Sequence, residues 1–296
     1  MSAELRTEGI AKAFGGVRAL EHCTLTVPAG SITGLIGPNG SGKTTLFNVM
    51  TGYERPDAGQ VYLGGRRITG ASAQRVYGLG LGRTFQLTRI FPRLTLLENM
   101  QVATRRGNRP GLLARPGRAA GHRHVLGLLE FTGLAQHAGE LAGTLSYGQR
   151  KLLELATVLA CDPAVVLLDE PAGGVNPTLI RHLAARIRDL NRQGTTFLIV
   201  EHNMEFVLGL CHQVVVLDYG TVVAAGPPAE VAANPRVLDA YLGAALDDEP
   251  ATAAPVADEP DGGAADHPLP AAARPDQDPG QGPGPDPGPD PGGAGE

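Results

Sequence analysis

The segment Gly37-Pro38-Asn39-Gly40-Ser41-Gly42-Lys43-Thr44-Thr45 constrains this chain more than any other. It matches G-x-x-x-x-G-K-[ST] at every required position. Its flanks fit as well. Ser31-Ile32-Thr33-Gly34-Leu35-Ile36 is a β-rich run entering the loop, and Thr44 to Met50 reads as a helix leaving it. Glycines let backbone N–H groups wrap an anion, and the helix N-terminus adds partial positive charge. Lys43 then reaches the β- and γ-phosphates of a nucleotide, Thr44 offers its hydroxyl to Mg2+, and Thr45 donates to a nearer phosphate. The bland alternative, a glycine-rich turn between strand and helix, is outweighed because both flanks are correct.

A second acidic centre follows far along the chain. Val165-Val166-Leu167-Leu168 is a buried strand ending in Asp169 and Glu170. Ligands of α/β proteins sit at the carboxyl ends of parallel strands. Asp169 suits a Mg2+ contact there, and Glu170 can orient or deprotonate an attacking water. Taken alone the pair could equally be a solvated strand cap before the Pro171 turn. The phosphate loop tips the balance.

The remaining pattern is an α/β succession. Short strands are expected over 4–36 and a hairpin over 57–68. Helical spacing covers 94–102 and 125–131, with the basic turn Arg105-Arg106-Gly107-Asn108-Arg109-Pro110 between them. A helix over 147–160 precedes the acidic strand. Helix 178–192, strand 195–200, helix 203–210, strand 213–217 and a short helix over 234–242 come after it.

Charge separates a folded part from a tail. The formal net charge is −5, yet residues 247–296 hold 12 acidic residues against Arg274 alone, so residues 1–246 carry about +6. The same 50 residues hold 12 of the 24 prolines and no aromatic residue. Such a segment cannot repay its ordering entropy by burying apolar area, so disorder is expected there. No apolar run of 18 residues is present, which excludes a transmembrane helix, and Met1 to Ala11 lacks the apolar core of a secretory signal. Cys23, Cys161 and Cys211 form no paired metal spacing and read as reduced, packed thiols.

At this point the residues meet a family. Leu145-Ser146-Tyr147-Gly148-Gln149, twenty residues before Asp169, resembles the Leu-Ser-x-Gly-Gln signature of the nucleotide-binding subunits of ABC transporters. Ser146 with Gln149 is also a good capping box, so the motif serves as a helix start in either reading. Other positions match one by one. Phe14 stands where an aromatic residue stacks on adenine. Gln86, in Arg83-Thr84-Phe85-Gln86, matches the glutamine that senses Mg2+ and faces the transmembrane partner. His202, after Thr196 to Glu201, matches the switch histidine on the γ-phosphate. Asn176 departs from the pattern, standing where many members carry Asp. The resemblance covers about residues 4–243. Within it, Gly82 to Phe91, Tyr147, Asn176-Pro177, Glu201-His202-Asn203-Met204 and the end through Tyr241-Leu242-Gly243 look like the first of the two ATPase subunits of branched-chain amino acid importers. Urea and short-amide importers share the same pattern.

The resemblance implies a P-loop NTPase of ABC ATPase type over 1–246, α/β in class, with an antiparallel β subdomain and an α-helical subdomain at about 88–160. It implies two ATPase subunits, hetero- or homodimeric, enclosing two ATP molecules with Mg2+. Lys43, Gln86, Asp169, Glu170 and His202 would come from one subunit, and Ser146, Gly148 and Gln149 from the other. Partners would be permease subunits, with a solute-binding protein acting indirectly, at the cytoplasmic face of the cell membrane. A nucleic-acid or ribosome ATPase of the same superfamily is the rival. Only 101 residues separate Thr44 from Ser146, too few for the long coiled coil of DNA-repair relatives, and no aromatic-plus-basic platform for nucleic acid is visible.

Overall fold

The computed structural model describes residues 2–85, 90–107 and 118–237. Gln86, Arg109 and the tail 247–296 lie outside that set, as do the side chains of Arg105 and Arg106.

β1 (Leu5–Phe14) and β2 (Val17–Val27) open the chain around the Gly15-Gly16 turn. β3 (Ile32–Ile36) enters the glycine loop and α1 (Lys43–Met50) leaves it, as the alternation of sequence character predicts. β4 (Ala58–Leu63) and β5 (Arg66–Arg67) form the expected hairpin. Next come α2 (Ala73–Tyr77), β6 (Leu81–Arg83), α3 (Leu96–Gly107), α4 (Arg118–Phe131) and α5 (Tyr147–Leu159). β7 (Val165–Asp169), α6 (Pro177–Arg192), β8 (Thr196–Val200), α7 (Met204–Leu210), β9 (Gln213–Asp218), β10 (Thr221–Gly226) and α8 (Pro228–Ala232) complete the order.

α3 and α4 extend well beyond the stretches with helical spacing. The two opening strands are ten and eleven residues long, not short. Four elements carry no expectation from the sequence: α2, β6, β10 and α8. Of these, α2, β6 and α8 are five residues or fewer and β10 has no fully buried residue, so neither a period nor an apolar run marks them. The helix expected over 234–242 lies mostly outside the described residues, where only 235–237 are helical.

Two sheets result. An antiparallel one has the order β2-β1-β4-β5, and a six-stranded one has the order β10-β9-β3-β8-β7-β6. β9, β3, β8, β7 and β6 run parallel, and β10 closes the edge antiparallel to β9. Strand side chains alternate faces, and the core obeys that period. Val166, Leu168, Phe197, Ile199, Val214 and Val216 pack in one cluster with residues of α5, α6 and α7. Val165, Leu167, Leu198, Val200, Val215 and Leu217 pack in the other, with α1 and the antiparallel sheet. Both faces are covered, so these strands read as continuous apolar runs.

Helix starts are set locally. Asn176 Oδ1 accepts from Leu179 N–H at 2.9 Å and Pro177 takes the first helical position of α6. From there Leu183, Ala184, Ile187 and Leu190 form the buried stripe of α6.

Candidate functional site

Strand register brings the site together. Val200 of β8 lies level with Leu35 of β3 on one side and with Asp169 of β7 on the other. The chain beyond each of these residues therefore emerges at one edge of the sheet: the glycine loop, Glu170, and Glu201 with His202. Three segments far apart in sequence become neighbours because β8 sits between β3 and β7.

The loop is held by backbone geometry that only glycine tolerates at two points. Gly37 has φ 152°, and a Cβ there would stand 2.0 Å from the Leu217 carbonyl oxygen. Gly42 has φ 102°, and a Cβ would stand 2.4 Å from the Ala19 carbonyl oxygen. Strands β9 and β2 thus press the loop from two sides. Lys43 is buried beneath it, and its Nζ donates to the carbonyls of Gly37 and Pro38, each at 2.8 Å. Burial pushes the Lys43 ammonium below the ordinary lysine value, while the carboxylates of Glu170 and then Asp169 oppose that shift. Lysine and acidic pair therefore sense one another. Thr44 is exposed at the start of α1 and Thr45 is half-buried.

Asp169 is buried and ion-paired. Arg83 Nη2 donates to its Oδ2 at 3.1 Å, and its own N–H donates to Thr84 Oγ1 at 3.1 Å. Arg83 also donates to Asn48 Oδ1 at 2.7 Å and Thr51 Oγ1 at 3.2 Å, both at the far end of α1. Its guanidinium lies 5.0 Å from the Phe85 ring centroid and 5.5 Å from that of Phe47. Removing one member of a buried pair costs roughly 3–5 kcal/mol, because the other charge is stranded. Arg83 is thus the group that holds Asp169 in place.

Glu170 stands in the left-handed region, φ 48°, a conformation uncommon for a residue with a side chain. Its N–H donates to Val200 O at 2.9 Å, and Lys151 Nζ of α5 donates to its carbonyl. Its Oε1 lies 3.0 Å from His202 Nε2. The two side chains are 25% and 44% exposed, so the pair faces solvent from the edge of the sheet.

Ser146, Gly148 and Gln149 open α5 elsewhere. Ser146 Oγ accepts from Gln149 N–H at 3.3 Å, and Gln149 Oε1 accepts from Ser146 N–H at 2.9 Å. That is the reciprocal capping box expected from the spacing. No bond among the described residues joins these three to the glycine loop of the same chain. Phe14 ends β1 half-exposed, with Lys12 Nζ 5.1 Å from its ring centroid. It sits at the tip of the hairpin whose second strand carries Ala19 against Gly42.

Sequence reasoning missed several positioning groups. Arg83 was visible only as part of the run into Gln86, and Lys151 as one more residue of a helix. Glu154 of α5 is buried, and its Oε1 accepts from Phe85 N–H at 2.9 Å. Glu201 is buried beside His202. An acidic residue inside an otherwise apolar stretch was the available signal for Glu154, and one directly after an apolar strand the signal for Glu201.

An ABC transporter family model matches residues 20–173. A model of the branched-chain amino acid ATP-binding cassette transporter matches residues 221–247. The chain is 38% identical over 250 residues to the high-affinity branched-chain amino acid transport ATP-binding protein LivG of Salmonella typhimurium, spanning 81% of this chain and 98% of that one. It is 37% identical over 250 residues to LivG of Escherichia coli K12 and 36% identical over 250 residues to BraF of Pseudomonas aeruginosa, with the same 81% and 98% coverage. Among solved structures, the nucleotide-free ATP-binding cassette of an ABC transporter superposes with a TM-score of 0.73 at 34% identity, over 81% of this chain and 98% of that one. The ADP conformation of an ABC transporter cassette gives 0.74 at 34% identity, over 82% and 100%.

Proposed function

The chain belongs to the ABC transporter family of ATP-binding proteins, and from that premise we propose that it hydrolyses ATP to energise uptake of branched-chain amino acids through a separate permease. The relatives named for branched-chain amino acid transport, and the match of residues 221–247 to that subfamily, support the solute class. Residues 1–246 are the ATPase domain and 247–296 an acidic appendage. The subunit works at the cytoplasmic face of the membrane, held there by its permease.

One observation carries the catalytic reading: Glu170 Oε1 and His202 Nε2 meet at 3.0 Å, at the sheet edge where the Lys43 loop also emerges. In this reading Gly37 to Thr45 cradle the phosphates, with Lys43 on the β- and γ-groups. Glu170 orients and deprotonates the attacking water. His202 holds Glu170 and contacts the γ-phosphate, and Phe14 stacks on adenine. Positioning and electrostatics supply the acceleration.

Thr44, Asp169 and Gln86 offer hydroxyl, carboxylate and amide oxygens, the hard donors that Mg2+ prefers. An exposed Thr44 and an Asp169 whose Oδ2 accepts from Arg83, with no bond to its Oδ1 among the described residues, fit that ion. Mg2+ would neutralise phosphate charge. Ser146, Gly148 and Gln149 form a helix start with no bond, among the described residues, to the glycine loop of their own chain, which suits them to complete the site of a second ATPase subunit. Closure of the pair around ATP then drives the permease, and hydrolysis releases it.

The test is Glu170→Gln. ATP binding should stay within about threefold of the parent while steady turnover falls by about 100-fold or more. Unchanged turnover would refute the assignment of Glu170 as the base.

A further inference from the structure

We propose that Glu201 is a positioning residue for ATP hydrolysis: its buried carboxylate ties the loop after Glu170 to the turn carrying His202, and so sets the Glu170–His202 contact. The inference rests on the reading of Glu170 and His202 given above.

Glu201 follows β8 and is 3% exposed. Its Oε1 accepts from Ala172 N–H at 2.6 Å. Its Oε2 accepts from His202 N–H at 3.1 Å and Asn203 N–H at 3.3 Å. Hydrogen bonds to an ionised acceptor are about twice as strong as neutral ones. The charge is met by these three backbone donors, and no salt bridge to it occurs among the described residues.

These bonds close a ring. From Glu170 the chain runs through Pro171 to Ala172, and Ala172 is bonded to Glu201. Glu201 precedes His202, whose ring returns to Glu170 Oε1. One buried carboxylate thereby fixes both supports of the exposed pair. Glu170 needs such support, since its left-handed backbone persists only where neighbours over-determine it.

A purely local role in starting α7 does not account for the geometry. Asn203 already caps that helix, its Oδ1 accepting from Phe206 N–H at 3.0 Å. The bond to Ala172 reaches 29 positions back and contributes nothing to the turn at 201–203.

Glu201→Gln keeps the size but leaves one accepting oxygen for three donors and turns an NH2 toward N–H groups. In the full-length chain, single-turnover ATP hydrolysis should fall about tenfold or more while ATP affinity stays within about threefold. The double variant Glu201→Gln/His202→Ala should hydrolyse no more slowly than His202→Ala alone, because both changes act on one unit. Glu201→Asp keeps the buried charge but not the reach to Ala172, and should be slowed in the same sense. Parental rates in the Gln or Asp variant would overturn the proposal, as would losses that multiply in the double variant. Should the Gln variant fail to fold, the Asp variant decides alone. A parental rate for His202→Ala would instead overturn the underlying reading of the Glu170–His202 pair.

Discussion

Cys23 and Cys211 are buried apolar thiols, and burial pushes each from 9.0 up to about 12. The nearby Glu201 carboxylate adds to the effect at Cys211. The folded values lie above the unfolded ones, so the folded chain keeps the thiol protons longer. The resulting stability is complete below the unfolded value of 9.0 and is lost as pH rises toward about 12. Nucleophilic attack needs the thiolate. Iodoacetamide at about pH 8 should therefore modify the half-buried Cys161 first, and Cys23 and Cys211 only after denaturation. Peptide mass spectrometry reads this directly, and equal labelling of Cys23 and Cys161 in the native chain would contradict it. What was readable at this scale followed sequence distance. The loop from Gly37 to Thr45 is one local spacing, and its flanks were enough. Arg83 and Asp169 lie 86 positions apart, and Ala172 and Glu201 lie 29 apart. Their bonds exist only because parallel strands end side by side and bring these segments together, and nothing within a single segment records that.

Among the elements, α5 does two jobs. Its first turn is the capping box of Ser146 and Gln149, and its flank holds the active edge through Lys151 to the Glu170 carbonyl and Glu154 to Phe85 N–H. Loss of a Ser N-cap costs about 1 kcal/mol. In a domain of this size that corresponds to a Tm decrease of about 2–4 °C. Ser146→Ala should show that modest fall in a thermal melt. If Ser146 also meets the phosphate of a second subunit, turnover well below Tm should drop by about tenfold or more, far beyond what the stability change explains. A lower Tm with parental turnover would leave Ser146 as a cap and nothing else. The long amphipathic helices α5 and α6 were readable because period and capping agreed, and β7 because it is an unbroken apolar run ending in two carboxylates. β6 was not, although its last residue, Arg83, anchors Asp169, because three residues display no period.

For the whole molecule, charge is divided between a basic sequence over 1–246 and an acidic one over 247–296. Residues 1–246 carry about +6 and residues 247–296 carry −11, a difference the net −5 conceals. No helix of the described residues is long and apolar enough to cross a membrane. A subunit that works beneath an anionic leaflet would gain from basic residues, roughly 1 kcal/mol for each Lys or Arg near the surface. The acidic residues of 247–296 would oppose that attraction within about 8–10 Å, the screening length at moderate salt. That segment holds no aromatic residue and 12 prolines, so it has little apolar area to contribute to the core. Deletion of 247–296 should therefore leave Tm within about 2 °C and ATP turnover within about twofold of the parent. The same deletion should strengthen binding to vesicles rich in anionic lipid at about 0.05 M salt, and the gain should vanish at about 0.5 M. Vesicle co-sedimentation measures both. Lost ATP turnover in the truncated chain would place the tail within the catalytic machinery. Unchanged vesicle binding at low salt would show that its charge does not govern the encounter with the membrane.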